Sequence, residues 1–311
     1  MLLRRIFRTL VVMAVAVTGT LAAGPAWAEQ GGSGRQLLDF NHAYSVFDRE
    51  TADAIEHSAY LREFANFQVR TTTGSGGETW TGRYLMGRET YLELFGVGDV
   101  PGQDGLLGAG GMGLSTERAG DIAAVAARLP AEGVPSPVKF RQTRDFGDGV
   151  PVPWFDAVFT TTEYDGFGAW AMEYLPEYFA DPRSNTEPEN YPGDVGRERY
   201  LNDDYRKHLM RDVTSVRLGV TARDLAATVP LLKAGGYTVH TFAGGAVATG
   251  GGTTLRFDAV PRERTGIRQV EMSLNRSVPK RHVETLGHST LTVGPAARAV
   301  WNFDAPKQST K

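Results

Sequence analysis

Three glutamates recur at matching places in this chain. Glu93 stands in Tyr91-Leu92-Glu93-Leu94-Phe95, Glu173 in Ala171-Met172-Glu173-Tyr174-Leu175, and Glu271 in Gln269-Val270-Glu271-Met272-Ser273. In a strand, successive side chains point to opposite faces. Leu92 with Leu94, Met172 with Tyr174, and Val270 with Met272 and Leu274 read as the core faces, which leaves each glutamate on the far face. A carboxylate on an enclosed face is costly unless it is ion-paired or bound to a metal. The pairing partners on offer are Arg70, Arg83, Arg141 and Arg144. His42, early in the first strand, can serve as a metal ligand or as a hydrogen-bonded imidazole in a polar cup. Tyr91 and Phe95, with Trp154 and Phe155, can line a pocket for an aromatic ligand or pack in a core. Glu271 has no histidine in its own repeat and reads as structural.

These residues are carried by a unit that repeats: one strand, one amphipathic helix, then three strands. In the first copy, Leu37 to Phe47 is a strand, Asp48 is the expected helix cap, and Ala52, Ile55, Ala59, Leu61 and Phe64 keep an apolar helical face. Phe67 to Thr73, Thr79 to Met86 and Glu89 to Phe95 follow as strands, with Gly74-Ser75-Gly76-Gly77 as a turn. The second copy has Met112 to Glu117, a helix over Asp121 to Leu129, then Val138 to Phe146, Trp154 to Thr162 and Gly168 to Leu175. Pro182, Pro188 and Pro192 interrupt the rhythm, and Arg197 to Arg211 reads as a charged, exposed helix. The third copy has a strand over Ser215 to Val220 and a helix opened by Thr221 and Asp224. Its remaining strands are expected at Tyr237 to Ala243, Thr253 to Val260 and Ile267 to Leu274, followed by further strands between His282 and Phe303.

Composition and ends bound the functional classes. Arg4, Arg5 and Arg8, the apolar run Leu10 to Ala23 and Ala26-Trp27-Ala28 form an expected export signal over 1–28, and Arg4-Arg5-Ile6-Phe7 resembles a twin-arginine motif. Its removal takes away three arginines and no acid, moving the formal charge from −3 to −6. An acidic exported chain is a poor nucleic-acid binder, which needs a basic stripe. There is no cysteine, hence no disulfide, thiolate ligand or cysteine nucleophile. No second apolar run is long enough to cross a bilayer. Gly108-x-Gly110-x-x-Gly113 spells a dinucleotide fingerprint but opens no helix, and neither a G-x-S-x-G elbow nor an H-E-x-x-H motif is present.

The repeat, with His42 in a first strand and Glu93 and Glu173 in fourth strands, resembles the vicinal-oxygen-chelate superfamily of glyoxalases, extradiol dioxygenases and bleomycin-resistance proteins. It is also similar to exported actinobacterial proteins built on this repeat. The resemblance implies an α+β fold of tandem βαβββ modules, two paired into a cup and a third with an incomplete partner. The domain plan is then a signal peptide (1–28), a flexible leader (29–36), paired modules (37–179), and a linker with a charged helix (180–212). A third module with C-terminal strands (213–303) and a tail (304–311) complete it.

The resemblance further implies one divalent metal, Fe(II), Mn(II) or Zn(II), on the cup floor, with His42, Glu93 and Glu173 as ligands. Gly111-Met112-Gly113-Leu114-Ser115 lacks a donor where a fourth ligand belongs. Tyr91, Phe95, Arg144 and Trp154 are the expected pocket residues. Two functions follow as expectations. The first is an exported, metal-free protein that binds a small aromatic molecule or antibiotic in the cup. The second is a metal-dependent lyase, isomerase or dioxygenase using His42, Glu93 and Glu173. The expected partner is a small-molecule ligand, with no nucleic acid and no membrane after signal cleavage. Either the chain's own tail or a second copy, in a homodimer, would complete the third module's sheet.

Overall fold

The computed structural model describes residues 35–74 and 77–306. The expected signal at 1–28, most of the leader at 29–36, the centre of the Gly74–Gly77 turn and the end of the tail lie outside the described residues.

The first unit opens with β1 (Asp39–Phe47), after which Asp48 accepts the Thr51 N–H at 2.8 Å and starts α1 (Arg49–His57). The single expected helix is two, because Ser58 adopts extended backbone angles and its hydroxyl caps α2 (Ala59–Phe64) by accepting from Leu61 N–H. β2 (Asn66–Thr73), β3 (Thr79–Met86) and β4 (Tyr91–Gly96) complete the unit. The second unit is β5 (Gly110–Ser115), α3 (Asp121–Arg128), β6 (Val138–Arg144), β7 (Val152–Phe159) and β8 (Phe167–Tyr174).

A connector follows, holding α4 (Pro176–Ala180) and α5 (Arg197–Leu201). The long exposed helix expected over Arg197 to Arg211 is therefore only five residues, followed by a 3₁₀ turn over Asp203–Lys207. Arg197 is buried, donating to Glu117 Oε1 at 2.5 Å and to the Phe40 carbonyl at 2.6 Å. A buried guanidinium needs such partners, and these pin the connector to β1 and to the segment that follows β5.

The third unit is β9 (Met210–Val220), α6 (Ala222–Ala234), β10 (Thr238–Phe242), β11 (Gly245–Gly250) and β12 (Thr253–Ala259). β11 was not expected, and it displaces the assignment of the next strand. β13 (Gly266–Val278) is not the third unit's last strand but the first of a fourth unit, with β14 (His282–Thr285), β15 (Ser289–Val293) and β16 (Ala296–Phe303). Where the other units carry a helix, this one has only the short link between β13 and β14.

The fold is α+β, with two eight-stranded sheets ordered β2-β3-β4-β1-β5-β8-β7-β6 and β10-β11-β12-β9-β13-β16-β15-β14. Each joins two units through antiparallel first strands, β1 with β5 and β9 with β13. The chain's own C-terminal strands complete the second sheet. The first sheet curls until its edges touch at one isolated bridge, Thr73 with Asp145. One core runs behind both sheets: Leu92 and Leu94 meet Ile55, Leu61 and Phe64 in unit one, and Leu218 and Phe257 meet Leu231 and Leu232 in unit three. Each such fully buried side chain contributes about 1.5–3 kcal/mol. Among the described residues no helix is long and apolar enough to cross a membrane.

Candidate functional site

The concave face of the first sheet encloses a cavity of about 290 Å³, near the lower end of the roughly 300–1,000 Å³ usual for small-molecule sites. Alternation sets its walls. β4 sends Leu92 and Leu94 to the helices and turns Tyr91, Glu93 and Phe95 into the cup. β3 contributes Trp80, Tyr84 and Met86 in the same way, and β1 contributes His42 and Tyr44. Across the cup, β7 supplies Trp154, Phe155 and Phe159, and β8 supplies Trp170, Met172 and Tyr174.

The floor is built around His42, which is buried between Tyr91, stacked at 4.5 Å between ring centres, and the edge of Trp170 at 5.3 Å. Asn41 donates its amide N–H to the Tyr200 hydroxyl at 2.7 Å, which leaves its Oδ1 to accept from His42 Nδ1 at 2.7 Å. That contact assigns the proton to Nδ1 and leaves Nε2 as the free acceptor. Burial lowers the His42 pKa to about 3, so the ring is neutral at physiological pH. Nε2 faces Glu93 Oε2 at 3.8 Å.

Glu93 takes a 2.5 Å hydrogen bond from the Tyr84 hydroxyl and a further one from the Trp80 indole. Burial pushes its pKa up despite these donors and the nearby Arg70. A second acid lies elsewhere in the cup, where Asp104 accepts from the Tyr164 hydroxyl. Burial raises its pKa as well.

Room for the floor comes from two glycines of β5. His42 pairs with Gly113 and Tyr44 with Gly111 across the β1–β5 ladder. A Cβ on Gly113 would stand 2.5 Å from His42 Cε1, and one on Gly111 would stand 2.3 Å from the Tyr44 ring. The first strand of unit two therefore contributes space for unit one's side chains and no donor of its own.

The expectation that Glu173 joins His42 and Glu93 is corrected. β8 has the opposite phase from the one read in the sequence: Met172 and Tyr174 face the cup, and Glu173 turns to α3. There its carboxylate accepts from Gly120 N at 2.8 Å, Ile122 N at 3.0 Å and Thr116 Oγ1 at 3.1 Å. Three donors and a helix N-terminus satisfy it fully. Glu271 is exposed, on a strand of unit four.

The expected arginine pairing also differs. Arg83 binds Glu56 and Asp99, each at 2.5 Å, and Arg141 binds Asp156 at 2.6 Å, away from the cup. Arg70 and Arg144 do line the cavity, together with Tyr91, Phe95 and Trp154. Arg70 lies 4.3 Å over the Tyr84 ring, and Arg144 donates to the Tyr178 hydroxyl at 2.9 Å. Among the described residues neither has a carboxylate within ion-pair distance.

As a metal centre the floor is short of donors. His42 Nε2 and Glu93 Oε2 are two; Gly113 and the averted Glu173 provide no third, so these residues do not fit an Fe(II), Mn(II) or Zn(II) site needing three or four protein ligands. Asp48, Glu50 and His288 form a separate, exposed group with ligand atoms within 4.8 Å of one another. There Asp48 already caps α1 and accepts from His288 at 3.1 Å.

The sequence reading missed Trp80, Tyr84, Trp170, Tyr174 and Tyr200. Trp80, Tyr84 and Met86 alternate in β3, which was a usable signal. Tyr200 enters from the connector, stacked on Tyr174 at 3.7 Å, and no periodicity announces it.

The chain belongs to DUF5829, a family of unknown function, which it matches over residues 40–303. No protein of curated function matches it in sequence. Among solved structures, it is similar to a hypothetical protein from Staphylococcus aureus, at 12% identity and a TM-score of 0.52, over 83% of this chain and 100% of that one. That likeness shows the fold alone. It is also similar to a Mn(II)-bound glyoxalase from Novosphingobium aromaticivorans at 9% identity, TM-score 0.39, covering 83% of this chain and 77% of that one. The 2,2',3-trihydroxybiphenyl 1,2-dioxygenase from Sphingomonas wittichii strain RW1 is similar at 12% identity, TM-score 0.38, over 87% and 91%. At those scores neither likeness bears on what this chain does.

Proposed function

We propose that this member of DUF5829 is an exported protein that holds a small aromatic molecule in the cup of its first sheet. The observation that carries this reading is the wall composition. Tyr91, Phe95, Trp154, Trp170 and Tyr174 surround a preformed space whose floor offers a few polar atoms of fixed orientation. Apolar walls with a small number of placed polar groups are the usual form of a ligand site, and aromatic faces favour an aromatic guest.

The His42–Glu93 pair supports a second reading, in which the two groups pass a proton to or from a bound substrate. A neutral imidazole with a free Nε2 stands 3.8 Å from a carboxyl of raised pKa, too far for a direct hydrogen bond but close enough for one bridging group to link the two. One experiment separates the two. The purified protein is assayed for bound metal and titrated with simple aromatic compounds while Trp fluorescence is followed, in wild type and in His42→Ala and Glu93→Gln. Saturable quenching without stoichiometric metal supports the binder. Chemical change of a bound compound, lost in both variants, supports the proton relay, and stoichiometric metal lost in both would overturn the donor count that argues against a metal floor. Neither signal overturns the cup as a ligand site. Export is tested separately, by N-terminal sequencing of the protein recovered outside the expressing cells, with cleavage expected after Ala28.

A further inference from the structure

We propose that the ligand of the cup is an anion, an aromatic carboxylate in class, whose charged group sits between Arg70 and Arg144. The proposal rests on the cup being the ligand site and adds what the ligand must carry.

The two guanidiniums come from equivalent strands, β2 in unit one and β6 in unit two, which are the outermost strands of the sheet. Curling brings those edges together at the Thr73–Asp145 bridge, so two arginines far apart in strand order share one end of the cavity. Both exert their positive charge on the same two hydroxyls, Tyr174 and Tyr178. Both guanidiniums thus lie within Coulombic reach of the same pair of tyrosines in the cavity wall.

Among the described residues neither has a carboxylate within ion-pair distance, and the acid that Arg70 does act on, Glu93, is held by other donors. Several guanidiniums around the first sheet hold carboxylates, among them Arg49, Arg83, Arg88, Arg141 and Arg197, and others such as Arg62, Arg128 and Arg199 donate to backbone carbonyls outside the cavity. Among the described residues Arg70 donates only to the thioether of Met86 at 3.9 Å, and its Nε is buried with no acceptor. Arg144 spends one nitrogen on the Tyr178 hydroxyl and rests on Phe146 and Trp154. A buried donor without an acceptor is destabilising, and a guanidinium presents five donors in a fork suited to a carboxylate.

Among the described residues neither acid of the cup forms an ion pair with these arginines, although Arg70 acts on Glu93 through space. Glu93 is occupied by Tyr84 and Trp80, and Asp104 by Tyr164. A planar body attached to the anion would run from the arginines past Trp154 and Tyr174, which meet edge to face, toward Tyr91 and Trp170. Cation–π contacts of Arg70 with Tyr84 and of Arg144 with Trp154 hold the forks in place before the ligand arrives.

The test uses a matched pair of probes, biphenyl-4-carboxylate and biphenyl-4-carboxamide, titrated into the full-length mature protein by calorimetry and Trp fluorescence. The carboxylate is expected to bind at least about tenfold more tightly, with an affinity that falls as salt rises. Arg70→Met and Arg144→Met should each remove about tenfold of the carboxylate's affinity and leave the carboxamide within about twofold. Arg70→Lys and Arg144→Lys keep the charge and should retain part of the preference, which separates loss of recognition from loss of fold. Equal binding of the two probes, or equal losses for both in the Met variants, overturns the anion site and leaves the cup standing as a neutral aromatic pocket. Binding of neither probe, together with no response to any compound of the wider aromatic panel, overturns both.

Discussion

The two sheets have the same strand order and opposite uses for the face turned away from the helices. On the first sheet that face carries Tyr91, Phe95, Trp154, Trp170 and Tyr174 and closes into a cavity. On the second it carries Arg217, Arg256 and Asp258, tied at 2.5 and 3.2 Å, and Gln269 with Asn302 at 2.8 Å. Behind both faces lies the same core: Val216, Leu218, Leu255, Phe257, Val270 and Trp301 do for the second sheet what Leu85, Leu92 and Leu94 do for the first. The scaffold is therefore set by one phase of each strand and the chemistry by the other. A duplicated fold can keep the first and rewrite the second.

Substitutions that trade these roles test the comparison, and the largest effect is expected at Gly113. Gly113→Val forces a side chain into the space of the His42 ring. Overpacking of this kind costs about 1–3 kcal/mol, and ligand quenching of Trp fluorescence should be abolished. Unchanged binding and melting temperature would break the claim that unit two yields its floor to unit one.

Tyr84→Phe removes the hydroxyl that donates to Glu93 at 2.5 Å. Leaving a buried acceptor short of a donor costs about 1–3 kcal/mol, read by chemical denaturation. Glu173→Gln should lose about 1 kcal/mol through weaker capping of α3, while ligand affinity stays unchanged. A loss of affinity as large as that of Glu93→Gln would return Glu173 to the cup.

His42 gives a pH signature. Its folded-state pKa, about 3, lies below the ordinary imidazole value near 6.5. The unfolded chain therefore takes up a proton that the folded chain refuses, so this term stabilises fully above pH of about 6.5 and is lost as pH falls toward 3. Glu93, with its pKa raised, contributes in the other direction: its term is present below the ordinary carboxylate range and is lost as pH rises through the raised value. His42→Gln should flatten the acid limb of melting temperature against pH. The smallest effect is expected on the second sheet, where Asp258→Asn breaks a surface ion pair worth less than about 1 kcal/mol and leaves binding untouched.

Units one and two were legible because their helices carry clear apolar stripes and β4 alternates Leu with polar or aromatic residues. His42, Glu93, Tyr91 and Phe95 follow from that phase. β8 was read in the wrong phase because both its faces are enclosed: Met172 and Tyr174 look like core, yet they line the cup while small Ala171 packs behind. β11 was invisible because Gly245-Ala246-Val247-Ala248-Thr249-Gly250 has the composition of a turn and becomes a strand only through its neighbours. The split at Ser58 and the burial of Arg197 depend on contacts distant in sequence, which no local pattern encodes.

Asp224 has a consequence for how the molecule can be divided. From the first turn of α6 its carboxylate accepts the backbone N–H groups of Asp165, Gly166 and Phe167, the lead-in to β8. The same helix lends Ala227 and Thr228 to the cavity wall, and the connector lends Tyr200. A gene fragment ending after unit two would encode most of the wall yet release the loop that aims Trp170 and Tyr174. The connector and α6 thus help to mould the cup of the N-terminal half, and a fragment without them would lack part of its wall.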